Sequence, residues 1–179
     1  MNTGLLVVDV QPEYDAFCKH ITQRVAQRIN NTVKPITIMW VGQGISSDSE
    51  DSVREYLIDH GARRRRLAEA CFIEKDYGFF RDWMDCEVPK ELIIKAGKSM
   101  LREGVRSSLD LDLEALFGKR HCELPDWGGL SLPSFDLAPL QAVDQVETCG
   151  GGDEECLAEM ELWLDMTGKP YKRLSSLVY

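Results

Sequence analysis

Two hydrophobic patterns take turns along this chain, and their order predicts its elements. Leu5-Leu6-Val7-Val8-Asp9-Val10 is a continuous apolar run broken by one acid, as in a strand buried on both faces of a parallel sheet. From Glu13 to Asn30 the apolar residues Phe17, Ile21, Val25 and Ile29 recur at i, i+4, which predicts an amphipathic helix with those four on its inner face. Ile36-Thr37-Ile38-Met39-Trp40-Val41 is a second apolar run, so the three segments read as a βαβ unit. Residues 46–61 predict a polar loop and a short helix, and the aromatic-rich stretch 71–85 a loop with a short helix. Glu91-Leu92-Ile93-Ile94-Lys95-Ala96-Gly97-Lys98-Ser99 reads as a third strand. Ser108 to Phe117 predicts a helix facing inward through Leu109, Leu113, Leu116 and Phe117, and 136–142 a shorter one.

The stretch Val143-Asp144-Gln145-Val146-Glu147-Thr148-Cys149-Gly150-Gly151-Gly152-Asp153-Glu154-Glu155-Cys156-Leu157 then predicts strand, sharp turn and helix. The helix runs to Thr167 and stops at Gly168, and Tyr171 to Leu174 is a last strand. This β-α-β-α-β-α-β-α-β order predicts an α/β fold, a three-layer α/β/α sandwich with a mostly parallel central sheet. The whole of 1–179 is expected to form one domain. Residues 118–134 hold two prolines, three glycines and Trp127 without period, and read as a lid or insertion.

Composition narrows the function classes. A net charge of −9 opposes a general nucleic-acid or anionic-membrane surface. Four arginines, Arg63 to Arg66, form the one basic cluster, and a solvated turn or an intersubunit salt-bridge site fits it better than a phosphate site. No apolar run reaches the length of a membrane span, and none at the N-terminus has the form of a signal peptide. The six cysteines show no C-x-x-C pair and no zinc spacing, so reduced thiols and a cytoplasmic location are expected.

The candidate chemistry lies at predicted strand ends. Asp9 closes the first run and Lys95 the third, at the carboxyl edge where open parallel sheets bind ligands. Cys156 opens the last helix, where free N–H groups and the helix dipole favour a thiolate and could hold an oxyanion. Asp153 or Glu154 capping the helix over a merely buried Cys156 is the plainer alternative. Specificity is expected from loops that include Trp40 and Trp127.

These residues resemble a known family. Leu5-Leu6-Val7-Val8-Asp9-Val10-Gln11 is similar to the opening "LLVIDVQ" of the isochorismatase-like cysteine hydrolases. Ile93-Ile94-Lys95 with Ser99 resembles that family's lysine block, and Val143-Asp144 through Cys156-Leu157 its "VDxVxxCGxxxDxCV" block. Leu164-Asp165 and Gly168 match its helix end, and 46–86 and 118–134 match poorly. The resemblance implies an amidase-type hydrolase with Cys156 as nucleophile, Asp9 as general base or acid and Lys95 as the assisting cation; Lys75 and Lys98 are the fallback cations if Lys95 stands apart from the other two. The resemblance also implies a non-proline cis peptide at Gly151-Gly152, an oxyanion hole from Gly151, Gly152 and Cys156, a small-molecule substrate and a homo-oligomer.

The chain also departs from the family. Nicotinamidases hold a metal through an Asp and two His after the second strand, but Val41 to Asp51 contains no histidine, and His20, His60 and His121 have no ligand spacing. Neither a metal nor a cofactor is expected. Glu155, before the nucleophile, is unusual for the family and would oppose a thiolate. It points to one alternative, a catalytically silent relative that binds or scaffolds; the resemblance also allows another, a vinyl-ether hydrolase of the isochorismatase type.

Overall fold

A computed structural model of the chain describes residues 2–42, 44–75, 78–118 and 129–179. The protein is α/β, with a five-stranded, all-parallel central sheet flanked by helices, in keeping with the three-layer arrangement expected. Its strands are β1 (Thr3–Val8), β2 (Ile36–Val41), β3 (Cys71–Lys75), β4 (Gln145–Gly150) and β5 (Tyr171–Arg173), in the spatial order β3-β2-β1-β4-β5. The helices are α1 (Asp15–Asn31), α2 (Glu50–Asp59), α3 (Arg64–Ala68), α4 (Arg81–Asp85), α5 (Lys90–Glu103), α6 (Leu113–Phe117), α7 (Ala138–Gln141) and α8 (Cys156–Thr167).

The chain divides into two compact units. The first comprises Met1–Tyr77, Ser134–Ala158 and Lys169–Tyr179 and carries the sheet. Register places Leu5, Val7, Ile36, Ile38 and Cys149 on one sheet face, where with Trp40 they pack against Cys18, Ile21, Val25, Ala26 and Ile29 of α1 and Val53 and Leu57 of α2. Leu6, Val8, Met39 and Val146, on neighbouring alternate positions, are fully buried too. Burial on both sides explains why β1 and β2 read as unbroken apolar runs. Glu147 of β4 is the main polar tie: Lys34 lies 2.8 Å away and Arg28 of α1 also pairs with it. Burial opposes its charge, but the Lys34 and Arg28 contacts outweigh this and hold its carboxyl below the usual value.

The second unit comprises Gly78–Pro133 and Glu159–Gly168. Gly97 of α5 meets α8 so closely that a Cβ would lie 2.3 Å from the Met166 sulfur. The Glu159 carboxylate accepts the Phe80 N–H at 2.5 Å, and Lys90 pairs with Asp165 at 2.7 Å. Of the expected lid, 119–128 lie outside the described residues; nearby, Ser108 and Leu130 exchange hydrogen bonds.

Four expectations change. The third strand is Cys71–Lys75, and residues 91–99 belong to helix α5. Ile93, Ala96, Gly97 and Met100 are its buried side, at i, i+3, i+4 and i+7, so the apolar triplet 92–94 belongs to a 3.6-residue period. Gly104 ends this helix in a left-handed conformation (φ 70°). The buried face of α1 begins at Cys18, while Phe17 is 63% exposed. Residues 108–117 form a 3-10 turn, Ser108–Asp110, and short α6, capped by Asp112 on the Ala115 N–H at 2.9 Å; Leu109 is exposed. The arginine cluster forms α3 and pairs inside the chain: Arg64 with Glu55 at 2.9 Å, Arg65 with Glu69 at 3.3 Å, and Arg66 with the Thr32 carbonyl at 2.8 Å.

Candidate active site

β1 is hydrogen-bonded to β2 on one side and to β4 on the other. The chain winds outward in opposite directions from this pair, and the crevice beyond the carboxyl ends of two such strands is where open parallel sheets take ligands. Asp9 follows β1 there, and the glycine turn carrying Cys156 follows β4.

Asp9 is fully buried and has a φ of 50°. For a residue with a side chain this left-handed conformation costs about 1–2 kcal/mol, and it turns the chain sharply out of β1. The side chain of Gln11 then extends the β1–β2 pairing: its Oε1 accepts the Val41 N–H at 2.9 Å and its Nε2 donates to the Val41 carbonyl at 3.0 Å. Nε2 also reaches the buried Asp48 carboxylate at 2.9 Å, which accepts the Glu13 N–H at 3.0 Å.

After β4, Gly150 and Gly151 have φ of 75° and 63°. A Cβ on Gly150 would lie 2.3 Å from the Val8 carbonyl oxygen, and one on Gly151 2.9 Å from the Leu157 nitrogen. Glycine is required at both positions. Among the described residues no peptide bond is cis, which corrects the expected cis bond at Gly151-Gly152. In the turn, Glu155 N–H and Leu157 N–H donate to the Gly152 carbonyl at 3.1 and 3.3 Å, and Asp153 N–H donates to the Tyr179 carbonyl at 2.9 Å. The chain enters α8 at Cys156, which is half-buried.

Cys156 neighbours Asp9, and its thiol favours the charged form of the carboxylate. The cation beside them is Lys75, at the end of β3, with its ammonium 3.0 Å from Asp9 Oδ2 and both side chains almost wholly buried. Burial raises the Asp9 carboxyl above its ordinary value; the Lys75 charge, the Cys156 hydrogen bond and the Lys75 contact offset only part of that. Lys95, the cation expected from the sequence, is an exposed residue of α5 whose ammonium donates to the Leu116 carbonyl at 2.6 Å. It failed because its apolar triplet is helical, so the residue is not at a strand end. The sequence signal for Lys75 is weak: it closes the short mixed stretch Cys71-Phe72-Ile73-Glu74, which has no clean apolar run. Lys98 is also an exposed residue of α5.

A cleft of about 590 Å³ opens over Cys156, lined by Tyr14, Phe17, Gly152, Asp153, Glu154, Glu155 and Tyr179. Glu155, next to Cys156, therefore stands at the cleft. Trp40 is buried in the core against α1 and α2, which corrects its expected place in a binding loop: a tryptophan inside a doubly buried strand is core. Trp127, the other expected binding residue, lies outside the described residues. Tyr179, which sequence reading missed, donates its hydroxyl to the Asp9 carbonyl at 3.1 Å. Nothing in its local sequence marks it, because its partners are Asp9, Gly151 and Asp153.

Among the described residues no three His, Cys, Asp or Glu side chains form a group suited to a metal ion, and no helix is long and apolar enough to cross a membrane. No protein family, curated protein or solved structure matches the chain. The likeness to isochorismatase-like hydrolases rests on the residues quoted above.

Proposed function

We propose that this chain is a cysteine-dependent hydrolase of the isochorismatase-like type, cleaving a small amide through a thioester. The observation that carries the reading is a buried carboxylate 3.0 Å from the Lys75 ammonium and beside Cys156, a residue that lines an open cleft. Asp9 takes the thiol proton, and a carboxyl raised toward neutrality is a better base than an ordinary one. Cys156 attacks the amide carbon, and N–H groups at the start of α8 and in the glycine turn, those of Cys156, Gly151 and Gly152, face the oxyanion. Collapse expels the amine, which takes its proton from Asp9. A water then attacks the thioester and gives a proton to Asp9; collapse releases the carboxylic acid and the Cys156 thiolate, which recovers its proton from Asp9. Lys75 balances the negative charge throughout. A cytoplasmic homo-oligomer needing neither metal nor cofactor completes the reading.

The raised Asp9 also keeps a second reading in view. A protonated carboxyl can protonate a vinyl ether, which would not need the thiol. The experiment is an amide and vinyl-ether screen, followed by turnover assays of Cys156→Ser, Asp9→Ala and the double variant. In wild type, Cys156 should react with iodoacetamide near neutral pH far faster than the other five thiols. Each single variant should lose at least about 100-fold in kcat/KM, and the double variant little more. Full activity in Cys156→Ser would leave the vinyl-ether reading. An unreactive Cys156 and no turnover of any amide or vinyl ether would leave a silent, ligand-binding relative, in keeping with Glu155 at the cleft.

A further inference from the structure

Three segments of the site meet at Tyr179. Its N–H donates to the Gly151 carbonyl at 3.2 Å, and its carbonyl accepts the Asp153 N–H at 2.9 Å. These two main-chain bonds bracket Gly152. The hydroxyl donates to the Asp9 carbonyl at 3.1 Å, on the other side of the site. The Asp9 N–H in turn donates to the Met39 carbonyl at 2.9 Å. Both peptide groups flanking Asp9 are thus held, one by β2 and one by Tyr179. A left-handed conformation at a residue with a side chain persists only where its surroundings over-determine it. Tyr179 also lines the cleft beside Cys156. Burial, with Asp9 and Cys156 nearby, raises its phenol above the usual value, so the hydroxyl remains a donor at neutral pH.

We propose that Tyr179 is a positioning residue: its hydroxyl fixes the backbone of Asp9 while its main chain fixes the Gly151–Asp153 turn, so that carboxylate and thiol stay in contact. This inference rests on the cysteine-hydrolase reading. A residue that merely filled space would act through its ring and backbone. The hydroxyl separates the two roles, because its hydrogen bond goes to the carbonyl of Asp9.

The test is the rate and pH profile of Cys156 alkylation by iodoacetamide, followed by peptide mass mapping, in wild type and Tyr179→Phe. Exposed Cys86 serves as internal reference. The variant keeps the ring and both main-chain bonds. Cys156 alkylation should slow about tenfold, the factor one hydrogen bond carries, and its pH profile should move toward that of Cys86. With a substrate in hand, kcat should fall while KM holds. An unchanged rate and profile in Tyr179→Phe, with wild-type Cys156 still faster than Cys86, overturns this inference and leaves the hydrolase reading standing. A wild-type Cys156 no faster than Cys86 overturns both. Should Tyr179→Phe not fold, 3-fluorotyrosine at position 179 changes the donor without changing the shape. A pH profile that moves then supports the inference, and an identical one overturns it.

Discussion

A carboxylate and an ammonium removed from water attract strongly, but each has given up its hydration, so the pair tolerates the loss of both partners better than the loss of one. Asp9 and Lys75 are such a pair. Lys75→Met and Asp9→Leu should each destabilise the protein by about 3–5 kcal/mol, and the double variant should regain most of that. Lys95→Met removes an exposed charge and should cost under about 1 kcal/mol, with Cys156 alkylation unchanged. Urea denaturation of the four variants, with alkylation of each, measures all of this. Equal behaviour of the two lysine variants would contradict the assignment of Lys75. The sign with pH follows from burial. In the unfolded chain the Asp9 carboxyl ionises near 3.8, and in the folded protein at a higher pH. Between those two points the folded state holds more protons, so stability falls as pH rises. It is fully present below the unfolded value and lost once folded Asp9 ionises. Wild type should show this decline from about pH 4 upward, and the Asp9→Leu/Lys75→Met variant should lack it.

Among the elements, the glycine turn carries the sharpest expectation. Gly150→Ala forces a Cβ to 2.3 Å from backbone in a left-handed residue, and should cost about 3 kcal/mol or more, with Cys156 reactivity lost. Gly168→Ala shares the left-handed φ, but its Cβ would meet open space, so it should cost only about 1–2 kcal/mol. Thermal melts of the two variants separate steric conflict from φ strain. The same scale explains which elements could be read. β1 and β2 were legible because doubly buried strands give unbroken apolar runs, and β4 through the three glycines at its end. α5 was not, because Leu92-Ile93-Ile94 fits a strand until its burial at Ala96, Gly97 and Met100 is known. β3 was missed for the opposite reason: Cys71 and Phe72 are only half-buried and Glu74 is exposed, so no clean run marks it.

For the molecule as a whole, the sheet order β3-β2-β1-β4-β5 puts β1 at its centre, with β4 beside it. Amides of their shared ladder, Leu5 to Val8 and Val146 to Gly150, should be the slowest to exchange with deuterated solvent, while those of β5 exchange earlier. Fast exchange at β1 would contradict this order. Cys149, in that ladder, has its thiol pushed up to about 12 by burial, with Arg28 opposing and Glu147 adding to the shift. It should resist alkylation until the protein unfolds. The α/β class, the parallel sheet, Asp9, the glycine turn and Cys156 were determined by the sequence itself. Each follows from contiguous residues: an apolar run with its terminal acid, or three glycines before a cysteine. Which lysine joins them was decided only by the tertiary structure, as were the trans glycine turn, the burial of Trp40 and the place of Tyr179. Each of these depends on residues remote in sequence. Lys75 reaches Asp9 from two strands away, and Tyr179 joins the ends of β1 and β4. Local pattern encodes burial and period, but a partner 66 or 170 residues away enters only when the sheet aligns the strand ends.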